Sequence, residues 1–145
     1  LDKHLVAIRP ASASQDGQAR EIWRMEETMP HIPTPLLSGN RLYLWADSGV
    51  ITCLRPQTGE KVWKARVEGV KDTFFGSPVR AGNKIICVSA YGQVVIIEDG
   101  EAFKQLGVTN LETVCRSTPA LANGDLYLRT SEQLLCVRGD QASAN

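Results

Sequence analysis

An all-β fold, a partial β-propeller of about three four-stranded antiparallel blades, is predicted by three features of this 145-residue chain. First, Thr34-Pro35, Ser77-Pro78 and Thr118-Pro119 each lead, past a Gly/Asn turn, into an apolar run. The runs are Leu42-Tyr43-Leu44-Trp45, Ile85-Ile86-Cys87-Val88 and Leu126-Tyr127-Leu128. The prolines stand 43 and 41 residues apart, the period of a four-stranded blade rather than of a helical array. Second, Gly, Asn or Asp occupies the junctions, as tight hairpins require of residues that accept positive φ. Third, the apolar runs are continuous rather than alternating, so both faces of each sheet are covered. Stacked blades supply that cover, whereas a two-layer sandwich would leave an outer polar face.

The best-preserved unit runs as follows. Pro35-Leu36-Leu37 opens it, with proline at the first strand position, where its missing N–H disturbs the ladder least. Gly39-Asn40 turns the chain into a second strand from Arg41 to Ala46, and Asp47-Ser48-Gly49 into a third, Val50 to Leu54. Gln57-Thr58-Gly59-Glu60 leads into a fourth, Lys61 to Val67. The next copy runs from Ser77 through Gln93–Ile97, with a degenerate fourth strand in which Phe103 stands near the place of Trp63. The last offers strands around Pro119, Leu126–Leu128 and Leu134–Val137. At the start, Leu5-Val6-Ala7-Ile8-Arg9-Pro10 matches Ile51–Pro56 and Glu21-Ile22-Trp23-Arg24 matches Lys61–Lys64, across a longer loop from Ala11 to Ala19. The expected organisation is a half blade over 1–28, blades over 33–68 and 76–109, an incomplete last blade over 117–138 and a disordered tail over 139–145. The expected total is eleven strands.

Composition narrows the function. Sixteen basic and sixteen acidic residues leave no net charge and no basic stripe, which argues against nucleic-acid binding. No stretch approaches the roughly 18 apolar residues of a membrane helix. Cys53, Cys87, Cys115 and Cys136 include no C-x-x-C pair, so neither a metal nor a redox motif is expected. Cys53 and Cys136 read as small buried hydrophobes, and Cys115, in a polar segment, as the exposed and reactive one. No nucleophile elbow, zincin helix, EF-hand or phosphate loop occurs. His31, Asp47 and Ser48 form no triad by any recognisable spacing.

The sequence Thr58-Gly59-Glu60-Lys61-Val62-Trp63 resembles the tryptophan-docking motif of the PQQ-type, quinoprotein-like β-propeller repeat. That superfamily includes quinoprotein alcohol dehydrogenases and the lipoprotein propeller of the outer-membrane β-barrel assembly machinery. Its unit reads A-x-D-x-x-T-G-x-x-x-W; here Cys53 replaces the Ala and Arg55 the Asp. In the half unit Ala7 and Trp23 match and the Thr-Gly is lost. WD40 repeats share the period, but no Trp-Asp dipeptide occurs. The resemblance implies that Trp23, Thr58, Gly59 and Trp63 are blade-docking residues, and an aromatic of this size buries roughly 150–250 Å². Trp45 is expected in the core. The quinoprotein enzymes would need an adjacent Cys–Cys disulfide, a catalytic Asp and calcium ligands, for which this sequence has no counterpart. The expectation is therefore a non-catalytic scaffold or interaction module with no cofactor and a protein partner, extracytoplasmic by resemblance. The alternative is a C-terminal fragment of a propeller enzyme whose site lies elsewhere in a longer chain.

In such propellers the interblade loops and the second-to-third-strand hairpins emerge on one face, which usually carries binding. The candidate partner-binding residues there are His31, Asp72, Phe74, Phe75, Tyr91 and Arg116. Phe74 and Phe75 are adjacent in an extended segment and cannot both point inward. Either one is an exposed anchor, or one packs between blades while the other covers a loop. A closed ring needs at least four blades, roughly 170 residues at this period. The chain is thus expected to be the C-terminal part of a longer propeller, or to close a ring by self-association.

Overall fold

The computed structural model describes residues 4–11, 17–27 and 29–139. Thirteen strands form four antiparallel sheets among these residues. β1 (Leu5–Arg9) and β2 (Arg20–Met25) form the half blade. β3 (Leu36–Ser38), β4 (Arg41–Trp45), β5 (Val50–Leu54) and β6 (Lys61–Arg66) form the first blade. β7 (Val79–Ala81), β8 (Lys84–Val88), β9 (Gln93–Glu98) and β10 (Gln105–Asn110) form the second. β11 (Ala120–Ala122), β12 (Asp125–Arg129) and β13 (Leu134–Arg138) form the last. The expected total of eleven was an undercount: the sheets hold two, four, four and three strands. The fourth strand of the second blade is complete, and begins after Phe103 rather than at it. The expected disordered tail lies, beyond Gly139, outside the described residues, as does the middle of the Ala11–Ala19 loop.

The continuous apolar runs are explained by strand alternation between two neighbours. On β4, Tyr43 and Trp45 enter the cluster shared with the second blade, and Leu42 and Leu44 the cluster shared with the half blade. On β8, Ile85 and Cys87 face the first blade while Ile86 and Val88 face the last. Sheets without a second neighbour read differently. On β13 only Leu135 is half-buried, and Leu134 and Val137 are exposed.

At the inner edge, the Ser/Thr-Pro openings are linked from blade to blade. Thr34 N–H donates to Ser77 Oγ at 2.9 Å, and Ser77 N–H donates to Thr118 Oγ1 at 2.9 Å. Each hydroxyl so takes up a backbone N–H that lies before the strand and outside its ladder. Third and fourth strands slip register at the same place in three sheets: Ala7/Ile8, Cys53/Leu54 and Gln105/Gly107. A bulge there sharpens the twist that carries the outer strand toward its neighbour.

The turn after each third strand is where blades dock. Trp23 of the half blade donates Nε1–H to the Pro56 carbonyl at 2.9 Å, and its ring lies on Gly59. Trp63 donates likewise to the Gly100 carbonyl at 3.1 Å, between Tyr43 and Phe103 at ring-centroid distances of 5.8 and 5.6 Å. Thr58 is exposed, and its hydroxyl oxygen accepts the Glu60 N–H within the turn.

The second docking turn also carries a charge network. Asp99, with 2% of its side chain exposed, accepts hydrogen bonds from Ser38 Oγ (2.5 Å), Tyr43 Oη (2.7 Å) and Arg41 Nε (2.9 Å) of the first blade. Arg80 Nε of its own blade donates at 2.8 Å. Beside it Glu101 bridges Arg41 and Arg55, the residue that stands where the repeat pattern has Asp. Burial alone would raise the Asp99 pKa, but the bonds from Ser38, Tyr43, Arg41 and Arg80 outweigh it and hold the carboxyl at about 2.

Two expectations follow. The folded pKa of Asp99 lies below its unfolded value of roughly 3.9, so its stabilisation is present above pH 4 and is lost as pH falls toward 2. Urea titrations should show this as roughly 2 kcal/mol over that window. Asp99→Asn should be less stable at pH 7 and flatter between pH 4 and 2; an unchanged pH profile would exclude the network. Separately, an alanine Cβ at Gly59 would lie 2.7 Å from Trp23 Cδ2, at φ +74°. Gly59→Ala should therefore cost about 2 kcal/mol, read as a fall in Tm of several degrees; an unaltered Tm would mean that the ring does not rest there.

Candidate functional site

Second and fourth strands of a blade run in the same direction, so the hairpins between second and third strands and the interblade loops leave at one end. Backbone hydrogen bonds stitch them together. In the 67–78 loop, Phe74 N–H donates to the Asp47 carbonyl of the outgoing hairpin, and Thr73 C=O accepts from Ala90 of the incoming one. The next loop repeats this: Cys115 N–H donates to the Ala90 carbonyl, and Val114 C=O accepts from Ser131. The loop backbone is thus paired rather than left to water, which fixes the side chains it carries.

Acidic side chains complete the stitching. Asp72 accepts from its neighbour Thr73 N–H at 2.6 Å and from Tyr91 N–H at 2.8 Å, tying loop to hairpin. Asp47 accepts from His31 N–H at 2.9 Å, and its other oxygen lies 3.3 Å from His31 Nδ1. His31 and Asp47 are therefore partners. Ser48 contributes its carbonyl oxygen, which accepts from Arg66 Nη1 at 2.6 Å.

The candidate residues divide sharply. Tyr91 is 68% exposed at its hairpin tip. Phe75 is half-buried, with the Arg116 guanidinium carbon 5.4 Å from its ring centroid, within the range of a cation–π contact. Phe74 cannot serve a partner: it is fully buried, 5.4 Å from Trp45 in ring centroids, and forms a bridge with Ser89. Of the two arrangements open for the phenylalanine pair, the observed one packs Phe74 between blades and leaves Phe75 over the loop. Its neighbour Trp45 is likewise in the core.

Two cysteines exchange their expected places. Cys115 is buried, because its segment runs down between blades and its thiol donates to the Arg129 carbonyl at 3.1 Å. Cys136 is exposed, because β13 lacks a covering neighbour among the described residues. Burial pushes the Cys53 thiol up to about 11 and Cys87 higher still, so neither is a thiolate nucleophile at neutral pH. Among the described residues no three His, Cys, Asp or Glu side chains converge as metal ligands would.

Two concave features flank this face. An open groove of about 770 Å³ runs along residues 66–71 and Gln93. A smaller pocket of about 160 Å³ lies between Arg116 and the Arg129–Ser131 hairpin. Sequence reasoning passed over Asp47 as a loop anchor and Arg129 as a lining residue. The equal spacing of hairpin and loop in successive repeats was the available pointer to Asp47.

A family model described as outer membrane protein assembly factor BamB matches residues 7–144. No curated protein sequence matches the chain. Among solved structures, BamB from Moraxella catarrhalis is similar with a TM-score of 0.60 at 18% identity, covering 80% of this chain and 35% of that one. Quinohemoprotein alcohol dehydrogenase ADHIIG from Pseudomonas putida HK5 gives 0.63 at 13%, covering 88% and 27%. A europium-containing methanol dehydrogenase gives 0.57 at 13%, covering 74% and 21%. At these identities the likeness is one of fold, and the chain spans about a third or less of each structure's length.

Asp72 supplies the prediction here. Removing a charged acceptor shared by two amides costs about 1.4 kcal/mol, or tenfold in local opening. Asp72→Ala should accelerate hydrogen exchange at Thr73 and Tyr91 about tenfold and leave the amides of β8 and β9 unchanged. Equal protection in both proteins would mean that the carboxylate does not hold the loop.

Proposed function

The chain belongs to the family of the outer membrane protein assembly factor BamB, and on that premise we propose that it is part of a non-catalytic, extracytoplasmic β-propeller scaffold. Its partner is a protein, engaged through the stitched face that carries His31, Phe75, Tyr91 and Arg116. The observation that carries this reading is the pairing of the loop backbones with the hairpins, which holds an exposed aromatic (Tyr91) and a stacked arginine (Arg116) in fixed positions. Aromatic and arginine side chains on a rigid frame are the usual anchors of protein interfaces, since little entropy is lost on binding.

The uncovered sheet faces bear on the rest of the ring. Ile8 on the half blade and Leu134 and Val137 on the last blade are apolar and 60%, 67% and 49% exposed. We assign them to contact with further blades of a longer propeller, consistent with the third of M. catarrhalis BamB that the chain spans.

A second reading, a fragment of a quinoprotein dehydrogenase, draws on the fold likeness to the two dehydrogenases. The donor set of this chain does not fit the quinone. Its cysteines are free thiols in different strands and loops, none adjacent to another, and Cys53, Cys87 and Cys115 are buried.

The first reading is tested with the protein in its native cell and the second with the purified protein. A photo-crosslinking residue at Tyr91 should yield a discrete protein adduct, and one at Asn40, on the opposite end of the blades, should not. Adducts at both positions or neither would remove the binding face. Titration of the purified protein with the quinone and calcium should give no saturable spectral change; saturation would favour the dehydrogenase reading.

A further inference from the structure

Seven arginines of this protein fall into two groups. Arg24, Arg41, Arg55, Arg80 and Arg138 each have a guanidinium nitrogen within 3.0 Å of a carboxylate oxygen. Arg116 and Arg129 have no hydrogen-bond or ion-pair partner for their guanidinium groups among the described residues, although both line the same pocket of about 160 Å³. Val114, Thr130 and Ser131 complete the lining, and no acidic side chain is among them. Glu132 lies only in the adjoining open depression.

The side chain of Arg116 and the backbone of Arg129 are held by their surroundings. Arg116 rests over the Phe75 ring. Arg129 is anchored through its carbonyl, which accepts from Cys115 Sγ and from Ser117 Oγ at 2.7 Å. The Thr130 hydroxyl is committed to its own turn, accepting from Glu132 and Gln133 N–H and donating to the Gln133 carbonyl. The Ser131 hydroxyl has no such commitment, its backbone N–H alone being used by Val114 C=O.

We propose that Arg116, Arg129 and the Ser131 hydroxyl form a binding site for a tetrahedral oxyanion of the phosphate class. Both arginines contribute to the pocket lining, and no carboxylate there neutralises them. A carboxylate satisfies one planar fork, whereas a tetrahedral dianion presents enough oxygens and charge for two forks and a hydroxyl. At about 160 Å³ the pocket has room for a five-atom oxyanion. Its open side toward Glu132–Leu134 leaves room for an organic group esterified to the phosphate. The site shares Arg116 with the proposed partner face, but the argument rests on the pocket and not on that reading. Binding of a small anion requires no protein partner, so the two stand or fall separately.

Calorimetric titration of the whole chain with inorganic phosphate, sulfate, glucose 6-phosphate and acetate tests the site. Phosphate and sulfate should bind saturably and weaken as salt is raised, and acetate should bind at least tenfold more weakly. Tighter binding of the sugar phosphate than of free phosphate assigns an ester as the ligand; equal binding assigns the free ion. Arg116→Gln and Arg129→Gln should each weaken phosphate at least tenfold, Arg129→Lys less, and Arg66→Gln, outside the pocket, not at all. Circular dichroism of each variant separates loss of the site from loss of the fold. Absence of saturable binding, acetate binding as tight as phosphate, or folded glutamine variants that bind normally would each overturn the proposal.

Discussion

A carboxylate with 2% of its side chain exposed must be satisfied by the protein, and Asp99 is satisfied mainly by the blade before its own. Ser38, Arg41 and Tyr43 reach it from the first blade and Arg80 from the second. An ionised group so enclosed tolerates little displacement of its donors, because an unmatched buried charge costs several kcal/mol. The relative placement of the two blades is therefore set by hydrogen-bond geometry as well as by apolar packing. Packing alone would admit sliding along a face of Ile, Val and Leu. The Trp63 ring acts at the same turn, and its bond to Gly100 fixes the indole in one orientation.

The two ends of the stack perform different work. At one end, the docking turns hold blades together by buried charge and indole rings. At the other, interblade loops and hairpins share backbone hydrogen bonds and carry the exposed Tyr91 and Arg116. Variation at the second end leaves the latch untouched. Residues at the loop end can therefore vary without disturbing the contacts that hold the blades together.

The period of the Ser/Thr-Pro dipeptides and the unbroken apolar runs made the blades legible, because both arise from constraints local to one repeat. What escaped was set by neighbours. Glu98-Asp99-Gly100-Glu101 has the composition of an ordinary hairpin turn, and only the arginines 46 to 60 positions earlier make it a latch. Cys115 sits among polar residues yet is buried, because burial of a loop depends on the path between sheets. Phe74 and Phe75 were correctly a pair with one member inward, but the strand bridge to Ser89 decides which. The repeat period located the loops and hairpins that carry His31, Asp72 and Tyr91. That Arg129 has no carboxylate beside it in its pocket was not legible, because no pattern of neighbours in sequence reveals it.

The hydroxyls of the inner strands have a further consequence. Ser77 both accepts from the residue before it in the chain of openings and donates to the residue after it. Every junction thus uses the same donor and the same acceptor, pointing the same way around the axis. Such a chain has direction but no unique link. A unit copied into it brings one donor and one acceptor and so restores this inner link on both sides, while the outer docking turn has to be matched separately. The modest Ser/Thr-Pro dipeptide is in that sense a coupling standard for the inner edge alone.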